Sequence, residues 1–236
     1  MKLWDKKNSG NDKIIEFTVG NDRLNDLYLI KYDIIASISH AKMLYRSNLL
    51  SEIECDKIIK ILNEMLSHAE AGKLKIDKEF EDMHSKIEFT LIDKLGDIGK
   101  KIHTARSRND QVLVSIQLYL IDELNSIKKE VKSLFDLLIN LAKKNKDIIM
   151  PGYTHMKAAM PSSFGLWFSA YAETLIDDII SLNSTIEIVN QNTLGSAAGY
   201  GTSFDIDRDF TTKDLNFKTL KYNSLACQIS RNKIEK

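Results

Sequence analysis

From Asp110 to Asn145 the chain has neither glycine nor proline. An apolar residue recurs along the whole stretch, at Val112, Ile116, Leu120, Leu124, Ile127, Val131, Leu134, Leu138 and Leu141. Steps of three and four residues average close to the 3.5 of a left-handed helical bundle. The segment predicts one helix over about 109–146, roughly 50 Å long at 1.5 Å per residue. A second stripe, Phe164, Phe168, Tyr171, Leu175, Ile179, Leu182, Ile186 and Val189, predicts another over about 162–191. Two such helices cannot bury their own stripes, so further helices from this chain or others must cover them. Both prolines, Pro151 and Pro161, fall between the two helices, in a segment that reads as an interhelical loop. So little proline argues against a turn-rich β protein.

The stretch before the long helix reads as shorter helices. Residues 1–20 look irregular. A helical stripe follows over 22–47, carried by Leu24, Leu27, Ile30, Ile34, Ile38 and Ala41. Ser51-Glu52-Ile53-Glu54 is a capping box that opens the next helix, and Gly72 is its natural stop. Residues 73–80 read as a turn or short extended piece, and a helix over about 81–94 ends at Gly96 and Gly99. The class is all-α: a small N-terminal helical domain over 1–107, then part of a long-helix bundle over 108–236. Residues 225–236 read as the start of a further helix that nothing closes.

The 33 basic and 33 acidic residues cancel, leaving no bulk field to collect nucleic acid or an anionic membrane. The N-terminus lacks a signal-peptide core, and the uncharged run near 158–172 is too short to span a bilayer. A cytoplasmic helical protein is expected. Cys55 and Cys227 form no CxxC, so neither a zinc framework nor a redox dithiol is indicated.

Three polar clusters stand out. His103-Thr104-Ala105-Arg106-Ser107-Arg108-Asn109-Asp110-Gln111 precedes the long helix. Ser107 or Asn109 can cap that helix, and Arg106 and Arg108 can grip carboxylates bidentately beside its N-terminus. The bland alternatives are a solvated, capped loop or a basic loop for RNA, the latter without interleaved aromatics. Pro151-Gly152-Tyr153-Thr154-His155-Met156-Lys157 offers His155 as an acid or base and Thr154 as a hydroxyl donor. An ordinary loop with His155 on a backbone carbonyl reads equally from these residues. In Asp82-Met83-His84-Ser85-Lys86-Ile87-Glu88, His84 and Glu88 stand four apart, which suits a helix salt link better than a metal site. Gly195-Ser196-Ala197-Ala198-Gly199-Tyr200-Gly201 follows a helix and lacks phosphate-loop grammar, so close backbone packing or a flexible loop is expected. His40 reads as a packed, hydrogen-bonded residue, and Trp167, Phe168 and Tyr171 read as core.

Together these clusters resemble argininosuccinate lyase, a branch of the fumarase/aspartase superfamily. His103–Gln111 looks like its HTGRSRNDQ signature. Tyr153-Thr154-His155 with Ala159 and Pro161 looks like YTHxQxAxP, Asp82–Ser85 like ED(I/V)HS, and Gly195–Arg208 like LGxxAxxGxxxxIDR. The resemblance runs over essentially the whole chain, with the motifs in the family's order. It implies cleavage of argininosuccinate to arginine and fumarate, by proton removal next to a carboxylate and departure of a guanidinium nitrogen, with neither cofactor nor metal. Arg108, Asn109 and Thr104 would surround the carboxylate where charge develops. His155 would transfer a proton, Asn109 and Thr154 would contact substrate, His84 would line the pocket, and Arg106 would add a cation. The family's homotetramers build each site from three subunits.

Ala105 stands where the family signature has glycine, and would cost about 1 kcal/mol if that position needs a positive φ. Lys157 stands where it has glutamine. The family's serine-bearing signature, GSSxMPxKxN, does not occur in these 236 residues. The expectation is therefore a lyase whose turnover needs a complementary C-terminal half. The alternative is a non-catalytic helical scaffold or partner-binding segment.

Overall fold

The computed structural model describes residues 17–230. The irregular reading of 1–20 and the end of the last predicted helix lie largely outside them. The helices come in the predicted order. They are α1 (Asp22–Arg46), α2 (Glu52–Glu70), α3 (Met83–Leu95), the single turn α4 (Asp97–Lys100), α5 (Arg108–Lys144), α6 (Phe164–Val189), α7 (Arg208–Asp214) and α8 (Ser224–Ser230). A 3₁₀ turn, Lys101–His103, leads toward α5. The first long helix is unbroken through Ile127.

The helix ends follow their local chemistry. Ser51 accepts from the Glu54 N–H while the Glu54 carboxylate accepts from the Ser51 N–H, the reciprocal pair of a capping box. Gly72 and Gly96 end α2 and α3 at φ 64° and 61°. Asp82 caps α3 by accepting from the Ser85 N–H at 2.7 Å.

The chain condenses into two compact units. One comprises the described residues up to Tyr119 together with those from Val189 onward. Its apolar core is built from Ile34, Leu44, Ile58, Leu62, Ile87 and Leu91, all essentially inaccessible. Each such side chain contributes roughly 1.5–3 kcal/mol on leaving water. Along α1 burial begins at Ile30 rather than at the first turns. Leu24 and Leu27, expected on the core stripe, are exposed: the segment 78–83 meets this end of α1 through Arg23 and Asp26 instead. A short parallel pair, β3 (Gln191–Asn192) with β4 (Thr219–Leu220), ties the segment after α6 to the segment after α7. Cys55 and Cys227 are both buried and free.

The other unit, Leu120–Ile188, holds most of α5 and α6. Their connection is not a loop. Ile149–Thr154 (β1) and Lys157–Ser163 (β2) form an antiparallel hairpin, with a register shift at Gly152/Tyr153. Its two-residue turn is His155-Met156, with φ 48° and 64°. A primed turn needs positive φ at both central positions, and its twist matches that of the strands. The prolines do not prevent pairing, because Pro151 and Pro161 face each other across a two-stranded ladder with free outer edges.

The expected aromatic core on α6 is also corrected. Trp167 lies edge-on to Phe168 and Tyr171, yet Trp167 is 45% and Tyr171 52% exposed. On α5, Ile127 and Leu134 are each 46% exposed. A groove of about 590 Å³ between the helices, floored by Val131, Phe135, Leu175 and Ile179, is rimmed by Lys128 and Lys132. None of the signature residues lines it. Val131 of the first stripe and Leu175 and Ile179 of the second face that groove.

Gly99 packs so closely on α3 that a Cβ would stand 2.3 Å from the Leu91 carbonyl oxygen. Gly99→Ala should destabilise the first unit by about 1–3 kcal/mol through forced backbone displacement. Gly96→Ala, in open space but at φ 61° and ψ −130°, a region that glycine occupies almost alone, should cost about 1–3 kcal/mol. Urea unfolding followed by circular dichroism would rank the two variants.

Candidate active site

The first signature forms the approach to α5, and Arg106, Asp110 and Gln111 turn inward. Ser107 caps the helix: its hydroxyl accepts from the Asn109 N–H at 3.3 Å, and Asp110 reaches back to the Ser107 N–H at 2.9 Å. The other oxygen of Asp110 accepts from the N–H groups of Gly195 at 2.9 Å and Ala197 at 3.0 Å. One fully buried carboxylate thus pins the start of α5 to the glycine-rich segment. Burial raises the Asp110 pKa, and the three N–H donors and Arg106 oppose that rise.

The glycine-rich segment is therefore packed rather than loose. At Gly195, φ is 85° and a side chain would press on Arg208 and Ile206. Arg208 donates to the Leu194 carbonyl at 2.9 Å and to the Lys221 carbonyl at 3.1 Å.

A second buried carboxylate organises the other side. Asp33, on α1, is inaccessible to solvent. It accepts from His84 Nδ1 at 2.8 Å and from Gln111 Nε2 at 2.8 and 3.0 Å. Burial alone would raise its pKa. The His84 charge and hydrogen bond, the Arg106 charge and the Gln111 amide outweigh that and hold it below the usual carboxylate range. Desolvation likewise disfavours charged His84, but Asp33, with Asp82 and Asp26, lifts the imidazole above its ordinary value. His84 therefore pairs with Asp33, not with Glu88. Glu88 stands 3.8 Å from His103 instead.

Neither arginine is an open carboxylate grip. Arg106 is 8% exposed and donates to Ser37 at 2.8 Å. Arg108 bridges the first turn of α3, pairing with Asp82 and donating to Ser85 at 2.8 Å. Thr104 is half-buried, and its carbonyl lies 2.9 Å from His40 Nε2. His40 is thus the packed, hydrogen-bonded residue expected. Burial and the Arg106 charge push its pKa down to about 3. Asn109 is exposed.

Thr104, Arg106, Arg108, Asn109 and His84 all belong to the first unit. Thr154 and His155 sit exposed at the hairpin turn of the second. Sequence reasoning missed Asp33, which looks like an interruption in an apolar stripe. The usable signal was a lone acid at the buried end of α1, which needs a partner.

Residues 9–236 match the lyase family model, and the chain belongs to that family. Over its whole length it is 48% identical to the argininosuccinate lyase of Phocaeicola vulgatus, and it covers 53% of that protein. It is 45% identical to the argininosuccinate lyase of Thermotoga neapolitana, covering 99% of this chain and 59% of that one. The chain thus spans about half the length of the curated relatives it matches. Among solved structures, EDDS lyase in complex with formate aligns with a TM-score of 0.77 at 25% identity, covering 87% of this chain and 41% of that one. The fumarate lyase:delta crystallin of Brucella melitensis shares the fold at a TM-score of 0.72 and 16% identity, covering 86% of this chain and 50% of that one.

Two measurements test this geometry. Ala105 has φ 57°, so Ala105→Gly should stabilise the chain by about 1 kcal/mol. A lower urea midpoint for that variant would show that the loop does not need the left-handed conformation. His40 is neutral when folded, so its contribution to stability is fully present above the unfolded value of 6.5. It is lost as pH falls from there toward about 3. Between pH 7 and 5 the wild type should lose about 2 kcal/mol more than His40→Gln, by urea unfolding at each pH.

Proposed function

We propose that this chain forms part of an argininosuccinate lyase that eliminates arginine from argininosuccinate and releases fumarate. The observation that carries the reading is the match to argininosuccinate lyases along the whole chain at 45–48% identity. The first and ED(I/V)HS-like signatures also meet at two points: Arg108 bonds to Asp82 and Ser85, and Gln111 and His84 share Asp33. The assigned substrate-binding residues are Thr104, Arg106, Arg108, Asn109 and His84. Thr154 and His155 supply a hydroxyl and a proton-transfer group.

The chemistry follows from the charges. Removing a proton next to a carboxylate places negative charge on that carboxylate, so fixed cations and N–H donors lower the barrier most. Arg108 is held by Asp82 and Ser85 across the first turn of α3, which orients its guanidinium before substrate arrives. Buried Arg106 adds positive potential, with Nη1 donating to Ser37 and Nε without a partner among the described residues. Asn109, exposed within the otherwise buried or half-buried first turn of α5, offers an amide to the substrate. His155, exposed on the hairpin, is free to move a proton to the leaving nitrogen.

Assembly is part of this proposal. The uncovered stripes of α5 and α6 call for further helices, which a homotetramer together with the remaining half of the family's length would supply. The proposed compartment is the cytoplasm. A non-catalytic scaffold is the competing reading, and no particular observation favours it.

The test is fumarate release from argininosuccinate, followed by ultraviolet absorbance. Residues 1–236 alone should give no measurable turnover, and co-assembly with the complementary half of a relative should restore it. In the active assembly His155→Asn should lower kcat by about 10²-fold or more. Strong turnover by residues 1–236 alone would overturn the requirement for the other half. An inactive but properly assembled complex would favour the scaffold.

A further inference from the structure

His84 has an unusual set of neighbours for a residue expected merely to line a pocket. Its Nδ1 lies 2.8 Å from a carboxylate that is itself buried. Nε2 has no hydrogen-bond partner among the described residues, and 6% of the side chain remains accessible. An imidazole tied at one nitrogen by a buried acid presents the other nitrogen in a fixed direction and tautomer. The acid is fixed in turn, because Gln111 donates to both of its oxygens. Gln111 and Asp110 are neighbours in the first turn of α5, so the brace behind His84 is built from the same signature that carries Arg108 and Asn109.

We propose that Asp33 is a positioning residue, that it and Gln111 orient His84, and that His84 Nε2–H then donates a hydrogen bond to a carboxylate of a dicarboxylate substrate. The proposal rests on the lyase reading for its substrate class, but the brace itself does not. The ionised groups around His84 favour a donor over a base. Asp26 and Asp33 come from α1 and Asp82 from the start of α3, while Arg106 reaches Asp33 from the loop before α5. Arg108 pairs with Asp82, and His103 faces His84 from the 3₁₀ turn before α5. Three carboxylates still outnumber the two guanidiniums, and Asp33 is bonded to the imidazole directly, so the imidazole holds its second proton. A cationic donor suits a substrate carboxylate that gains charge in the transition state, because charge-assisted hydrogen bonds strengthen as the acceptor becomes more anionic.

The brace can be tested on the 236-residue chain itself, by long-range ¹H–¹⁵N NMR of the imidazoles with His84→Asn used for assignment. In the unmodified chain His84 should stay doubly protonated well above pH 6.5, with a slowly exchanging Nδ1–H. Adding fumarate should then shift Nε2 but not Nδ1. Asp33→Asn keeps the size of the side chain and removes its charge, and it should bring the His84 midpoint down by at least one pH unit. In the reconstituted lyase the same change should lower kcat at least ~10-fold, while the alkaline limb of the pH profile moves with the His84 midpoint. A merely structural role would change stability without moving that limb.

If His84 is neutral at pH 7 in the unmodified chain, the proposal fails, and that measurement requires no variant to fold. A midpoint unchanged in folded Asp33→Asn overturns the brace. An intact brace with no fumarate effect on Nε2, in a reconstituted enzyme that does release fumarate, overturns the donor role and leaves the lyase reading standing. Absence of turnover from the assembled enzyme refutes the lyase reading while leaving the NMR result for the brace unaffected.

Discussion

A carboxylate removed from water has to regain its solvation from the protein, and two such carboxylates fix this chain's polar centre. Asp33 draws in His84 from α3 and Gln111 from α5. Asp110, one residue before Gln111, takes backbone donors from its own helix start and from a segment some 85 residues further on. One turn of α5 therefore supplies contacts to α1, to α3 through Asp33, and to the glycine-rich segment. The apolar core beneath would tolerate small slips between its helices. A buried ion left without its donors would not, because losing one partner of such a pair costs about 3–5 kcal/mol. The geometry of the loop from His103 to Gln111 follows from that intolerance.

The same logic explains why the arginines look occupied. An arginine grip that is free in solution spends entropy when it closes on a ligand. Arg108 has already spent it on Asp82 and Ser85, and Arg106 on Ser37. Preset donors lose less on binding, which matters most where charge appears only transiently.

Much of the fold was legible because its signals are local. The stripe through Ile127 located α5 within two residues at each end, and the Ser51 capping box and Gly72 marked both ends of α2. The hairpin was not legible. Its strands carry two prolines, and its turn uses His155 and Met156 where asparagine or glycine would have announced a primed turn. The aromatic run on α6 has helical spacing, but spacing says which residues share a face and not whether anything covers it. At the site, the signature cluster was visible as a cluster, while its wiring was not. Asp33 lies 51 residues from His84 and 78 from Gln111, and only tertiary packing brings them together.

Positive φ at residues other than glycine separates two kinds of backbone strain here. Ala105 carries it in the bend leading into α5, where a glycine would serve the same geometry, so the strain there does no chemistry of its own. His155 carries it at the tip of a hairpin, beside Met156, which is almost wholly exposed. Strain of order 1–3 kcal/mol per residue persists only where the surroundings over-determine the conformation, and at this tip the paired strands are the surroundings. The paired strands hold the exposed His155 in a fixed backbone setting at the hairpin turn. A histidine placed that way gains nothing for the stability of the unit that bears it.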